Sequence, residues 1–332
     1  MEGGGEWAEE RWWYRLAHVC QRWRDLILGS ASYLGLCLVC TSGTPVADML
    51  VHSPPLPLVI DYLSDDITAS DEEAVILALS QRDRVRRIRF DLPVQKLRKF
   101  ITAFDGEYPT LEHLILLVPH EEKTEVLILP ETFQTPHLRH LVIDCSIRIP
   151  IRSPLLGTAA GLVVFCLVMY HPSTYFQPTV LLQWLSSMPQ LEILMIFFNF
   201  AVPNRDVERQ LVRKPITTHA TLPNLHAFGH KAVSTYSEVV LSRITAPRLE
   251  NLQIGYVNQL TFSVPQLLQF MRRTENLRFD HAEFSFSSGQ VFVNVNCPGT
   301  KSEMPMAAFS IYVNCLHIDW QVSSTGVLVR KL

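Results

Sequence analysis

One short phrase recurs along this chain and narrows the possible folds more than any other feature. A proline or small polar residue is followed by L-x-x-L/F-x-I/L. It reads Pro109-Thr-Leu111-Glu-His-Leu114-Ile-Leu116 and Pro136-His-Leu138-Arg-His-Leu141-Val-Ile143. It returns as Pro189-Gln-Leu191-Glu-Ile-Leu194-Met-Ile196 and Pro247-Arg-Leu249-Glu-Asn-Leu252-Gln-Ile254. Weaker copies are Leu162/Phe165/Leu167, Pro223-Asn-Leu225/Phe228, Val85/Ile88/Phe90 upstream and Leu277/Phe279 downstream. The first apolar positions follow one another at intervals averaging about 27 residues. The longest interval contains Asn199 to Leu222, rich in Pro, Asn, Arg and Thr, and reads as a loop insertion.

Helical sequence lies between the phrases. Ser70-Asp-Glu-Glu73 has the capping-box pattern and predicts a helix from about Asp71 to Gln81. Val94, Leu97, Phe100, Ile101 and Phe104 stand at helical spacing, with Gly106 as the expected stop. Val180 to Ser187, Tyr236 to Arg243 and Pro265 to Arg272 hold the equivalent place before later phrases. A unit of helix, turn and strand cannot bury both faces alone, but stacked copies can. The spacing falls in the leucine-rich-repeat range. The expected fold is therefore α/β: a leucine-rich-repeat solenoid, a horseshoe with parallel strands on its concave face and helices outside.

Before the repeats, Leu16, Val19, Cys20, Trp23, Leu26 and Ile27 fall on one helical stripe, with Arg15, His18, Arg22 and Asp25 off it. One reading is a helix that covers the exposed edge of the first repeat. The residues themselves add another. Val19-Cys20, two residues, Trp23-Arg24 and the apolar pair Leu26-Ile27 resemble the second half of an F-box. Leu34-Gly-Leu36-Cys-Leu38 and Pro55-Leu-Pro-Leu-Val-Ile60 are similar to the linker into the repeats of fungal F-box/leucine-rich-repeat proteins.

That resemblance implies a substrate receptor of an SCF-type ubiquitin ligase. Its F-box would dock a Skp-family adaptor, and through it a cullin-based ligase, while the repeats select the target protein. The stripe residues Leu16, Val19, Cys20, Trp23, Leu26 and Ile27 would contact the adaptor. The family's leading Leu-Pro-x-Glu helix has no counterpart in Met1 to Tyr14, so an N-terminally incomplete F-box is expected. The alternatives are a repeat scaffold that docks no adaptor, or a truncated, non-functional paralogue. The expected division is a partial F-box-like segment over 1–33, a linker with the first strands over 34–64, and the solenoid over 65–332.

Composition is consistent with an intracellular binding protein, cytoplasmic or nuclear. A formal net charge of −3 gives no pull toward nucleic acid or an anionic membrane. The basic run Arg82, Arg84, Arg86, Arg87 and Arg89 is interrupted by Asp83 and lacks interleaved aromatics, which reads as a solvated helix–strand junction. Leu155 to Tyr170 is uncharged but too short to span a membrane, and reads as a buried repeat strand. Seven cysteines form no even framework, so reduced thiols are expected. Cys37 and Cys40, if extended, point to opposite faces.

No G-x-S-x-G, P-loop, Rossmann fingerprint or H-E-x-x-H is present, and no enzyme, cofactor or metal site is expected. His137 and His140 are explained by the repeat phrase, and Asp65-Asp66 and Glu121-Glu122 read as solvated turns.

Strand alternation places a second set of residues on the concave face. These are His113, Ile115 and Leu117; His140, Val142 and Asp144; Val164, Cys166 and Val168; and Ile193, Met195 and Phe197. Asn251 and Gln253 make the far flank polar. The apolar middle reads as a partner groove formed by His140, Val142, Val164, Val168, Ile193, Met195 and Phe197, with Met195 and Phe197 as anchors. The competing expectation is that Phe284 to Val295 or another terminal segment folds over this face.

Overall fold

The computed structural model describes residues 12–31, 33–63, 67–150, 153–200, 216–257, 265–274, 276–277, 281–287, 290–296 and 309–314. Its strands begin with β1 (Leu38–Cys40), β2 (Leu58–Tyr62), β3 (Val85–Asp91), β4 (His113–Leu117), β5 (Leu127–Ile128) and β6 (His140–Asp144). Next come β7 (Ile147–Arg148), β8 (Val164–Met169), β9 (Ile193–Phe198), β10 (Ala220–Thr221), β11 (Ala227–Ala232) and β12 (Ile244–Thr245). The last are β13 (Asn251–Tyr256), β14 (His281–Ser287), β15 (Gln290–Asn296) and β16 (Phe309–Asn314). Among the described residues, twelve of these form one sheet in the order β1-β2-β3-β4-β6-β8-β9-β11-β13-β16-β15-β14. Neighbours are parallel from β1 to β16, and β15 and β14 then join antiparallel. The protein is thus α/β, with a mostly parallel central sheet and helices around it.

The recurring phrase sets the register. Ile88, Leu114, Leu141, Phe165, Leu194, Phe228 and Leu252 stand side by side across seven strands. All are buried, as are the first-position residues Val85, Leu111, Leu138, Leu162, Leu191, Leu225 and Leu249. Burying each large apolar side chain contributes roughly 1.5–3 kcal/mol, so these rows hold the core together.

Helices cover the buried face. They are α1 (Trp12–Ala17), α2 (Gln21–Gly29), α3 (Val46–His52), α4 (Ala69–Ser80), α5 (Val94–Thr102), α6 (Pro154–Gly157) and α7 (Pro178–Ser186), followed by Ser234–Leu241 and Pro265–Arg273. Units one period apart are tied by polar contacts. Glu122 accepts from the Val94 amide at 2.6 Å and so caps α5. Glu238 accepts from the Gln266 and Leu267 amides at 2.6 and 3.1 Å and caps Pro265–Arg273 in the same way. Lys99 pairs with Glu72, and Arg98 with Glu125, each at 2.8 Å.

Several expectations need correction. The helix over 69–80 is capped by Thr68, not Ser70: the Thr68 hydroxyl accepts from the Asp71 amide while the Asp71 carboxylate accepts from the Thr68 amide. Asp71 also accepts from the Gly43 amide at 2.7 Å, and this tertiary bond selects the earlier box. Gly106, with φ of +82°, lies in the turn beyond α5, whose C-terminal cap is Ala103. The stretch from Leu155 holds the short α6 before β8 rather than strand alone. Glu122 of the acidic pair is a helix cap rather than part of a solvated turn; Asp65-Asp66 lies outside the described residues.

The place beside β13 is taken by β16, not by a strand at Leu277/Phe279; Leu277 is buried outside any strand, and Phe279 lies outside the described residues. Most of the Asn199–Leu222 insertion lies outside them as well. Cys37 packs with Val39 and Val59, and Cys40 enters the main core, as opposite faces require. No helix among the described residues is long and apolar enough to cross a membrane.

Candidate functional site

The Leu16–Ile27 stripe is not one helix. The chain leaves α1 after Ala17 and re-enters at Gln21, with Cys20 extended at φ −161°. The Arg24 guanidinium donates to the Ala17 carbonyl at 3.1 Å and bridges the break. The stripe splits as a result. Trp13 and Ala17 are buried, Ile27 is 8% exposed and Leu16 packs partly against the core. The Trp13 indole donates to the Cys37 carbonyl at 3.2 Å, anchoring α1 at the start of β1. Val19, Trp23 and Leu26, at 62%, 46% and 61% exposure, point outward, and Cys20 is exposed beside them. Ile27 is therefore a core residue and is unavailable to a partner.

The second surface is the sheet face opposite the core. Its first row runs Arg87, His113, His140, Val164, Ile193, Ala227 and Asn251. Its second runs Arg89, Ile115, Val142, Cys166, Met195, Gly229 and Gln253. Its third runs Asp91, Leu117, Asp144, Val168, Phe197, Lys231 and Gly255. The expected groove residues His140, Val142, Val164, Val168, Ile193, Met195 and Phe197 are thus brought together, and all are half-buried. The described parts of Phe284 to Val295 fall in β14 and β15, hydrogen-bonded at the far end of the same sheet; their side chains lie outside the described residues.

Two histidines of this face lie beside several arginines. His113 and His140 stack at 4.2 Å with their planes 4° apart, so His140 pairs across the strands with His113. His137 lies exposed on the loop before β6. Burial, then the His140 ring and the guanidinium groups of Arg87, Arg86 and Arg139, pushes His113 down to about 3. Burial and the Arg139 and Arg87 charges lower His140 as well. Neutral rings that stack this closely form an apolar platform. Among the described residues, no group of three His, Cys, Asp or Glu could hold a metal ion.

At the strand ends, Lys123 donates to Asp144 at 2.8 Å and to the Tyr170 hydroxyl at 3.2 Å, and Tyr170 donates to Asp144 at 2.7 Å. Burial alone would lower Lys123, but its bonds to Asp144 and Tyr170 outweigh that and raise its pKa. Cys166 is held as a thiol, raised to about 12 by burial.

Sequence reasoning missed the contribution of β11. Gly229 and Lys231 complete two of the rows, but the phrase is weak there, because His230 stands where both neighbouring strands carry Ile. His230 is fully buried, with its ring 5.5 Å from Tyr236 and 6.0 Å from Phe228. The described residues thus form an α/β protein with two part-apolar surfaces, one on α2 and one on the open sheet face. The chain matches no protein-family model, no curated protein and no solved structure.

Proposed function

We propose that this chain is a protein-binding scaffold of the leucine-rich-repeat type, acting as substrate-recognition subunit of an SCF-type ubiquitin ligase. In this reading the helix–strand units stack into a curved solenoid. The open sheet face takes the target protein, and α2 docks a Skp-family adaptor that joins the chain to a cullin-based ligase in the cytoplasm or nucleus. The role is recognition and not catalysis.

The observation that carries this reading is the outward set Val19, Trp23 and Leu26. These residues belong to the Val-Cys…Trp-Arg motif, and the core leaves them uncovered. Clustered exposed apolar side chains with a central tryptophan are the usual anchor of a protein interface. The test is co-purification of the full chain with the Skp-family adaptor, beside a Val19→Asp/Trp23→Asp variant. Both residues are exposed, so the variant is expected to fold. A stoichiometric complex that the variant loses supports the reading. A folded wild-type chain that captures no adaptor overturns it.

A repeat scaffold without adaptor docking is the second reading. The break at Cys20 favours it, because it turns Ile27 and part of Leu16 into the interior and leaves half the stripe for a partner.

A further inference from the structure

Across β9, β11 and β13 the open face holds a depression of about 170 Å³, lined by Phe197, Asn199, Lys231, Gln253 and Gly255. The aliphatic stem of Lys231 lies flat on β13: a Cβ at Gly255 would meet its Cγ at 2.6 Å. Glycine at that position lets the stem pass. The ammonium then donates to the Asn199 side-chain oxygen at 2.8 Å, which fixes its direction and uses one of its three donors. Among the described residues no carboxylate pairs with Lys231, and no acidic residue stands on this face of β9, β11 or β13. Burial lowers the Lys231 pKa, the response of a cation short of compensation. Phe197 and Gln253 complete the lining, and Gln253 brings an aliphatic stem with a carboxamide, a second side chain able to donate, from the neighbouring strand.

A single cation, a carboxamide and an aromatic wall suit a monoanion with an apolar body. Phosphate is usually held by more donors or by arginine. We propose that this depression is a carboxylate-binding subsite, taking an acidic side chain that a partner protein carries beside an apolar one. The carboxylate meets Lys231 and Gln253, and the apolar neighbour lies against Phe197. The inference rests on the open face being the partner-binding surface, yet its test needs no partner.

The probe is 3-phenylpropionate, titrated into the full chain by NMR, against the neutral 3-phenylpropanol. Saturable shifts at the Gly229 and Gly255 amides are expected for the acid, with the alcohol weaker by about tenfold or more. Lys231→Met keeps the stem on Gly255 and should weaken the acid by a similar factor while leaving the alcohol unchanged. Gln253→Ala, which leaves that stem untouched, should weaken the acid by a smaller factor. No saturable binding of the acid, equal binding of the alcohol, or undiminished acid binding in a folded Lys231→Met protein overturns the subsite. Failed adaptor capture would leave these titrations unaffected, and failed titrations would leave adaptor docking standing.

Discussion

Met195 lies across Gly229: a Cβ on that glycine would sit 2.2 Å from the methionine sulfur and 2.8 Å from the tip of the Phe197 ring. The glycine is the bed on which both groove anchors rest, and that is how two large apolar side chains stay half-buried on an open face. Gly229 is not one of the positive-φ glycines, so its backbone accepts a side chain. Gly229→Ala should therefore swing the two flexible tips outward and change stability by less than about 1 kcal/mol. Urea unfolding beside binding of a hydrophobic dye checks this. Dye binding should rise, and a loss above about 3 kcal/mol without a change in dye binding would refute the account.

His230 should make the fold acid-sensitive. Burial pushes its pKa to about 3 from 6.5, and the nearby Ile196 backbone offsets this only in part. The folded state therefore favours the neutral ring. Stability is complete above about pH 6.5 and is lost as pH falls from there toward 3, by at most about 1.4 kcal/mol per pH unit for each such group. His113 and His140 act in the same direction. His230→Phe keeps the aromatic stack and removes one proton site, so its urea midpoint should fall less between pH 7 and pH 5. Identical slopes in variant and wild type would remove His230 from the explanation.

The Lys123–Asp144–Tyr170 trio is a structural clasp. The Lys123 side chain is only 13% exposed, so removing its partner strands a largely buried charge. Asp144→Asn is expected to cost about 2 kcal/mol or more, and Tyr170→Phe about 1 kcal/mol. Thermal unfolding of both and of the double variant should show non-additive losses; strictly additive losses would mean the three groups are independent.

The helix cap offers a sharper test. Thr68→Ala should cost about 1 kcal/mol, the usual worth of a helix cap, whereas exposed Ser70→Ala should change little. Chemical denaturation of the two single variants decides it, and the reverse order would restore the later cap.

The features legible in the sequence are the local ones. The strand rows were legible because the L-x-x-L-x-I spacing is repeated without change, so Leu114, Leu141 and Leu194 could only fall in line. The cap was misplaced, since Ser70-x-x-Glu73 overlaps the true box Thr68-x-x-Asp71; the choice rests on the Gly43 amide, far away in sequence. The break before α2 was invisible, because the apolar spacing runs on through His18, Val19 and Cys20 and no Pro or Gly marks the extended residue. The outward half of the stripe could be named but not separated from the inward half. Lys231 escaped notice because its strand carries His230 in place of an aliphatic residue, and nothing local reveals the glycines beneath its neighbours.

The aligned register has a consequence for how such a surface changes over time. Neighbouring strands stand about 4.8 Å apart and residues on one face about 6.8 Å apart, so the open side is a lattice of addresses. Each address is one residue whose neighbours in the chain point the other way. Substitution at Val142 or Gln253 therefore rewrites what a visitor meets while Leu141 and Leu252 stay where they are. A chain built this way can drift toward a new partner square by square without reopening the problem of folding.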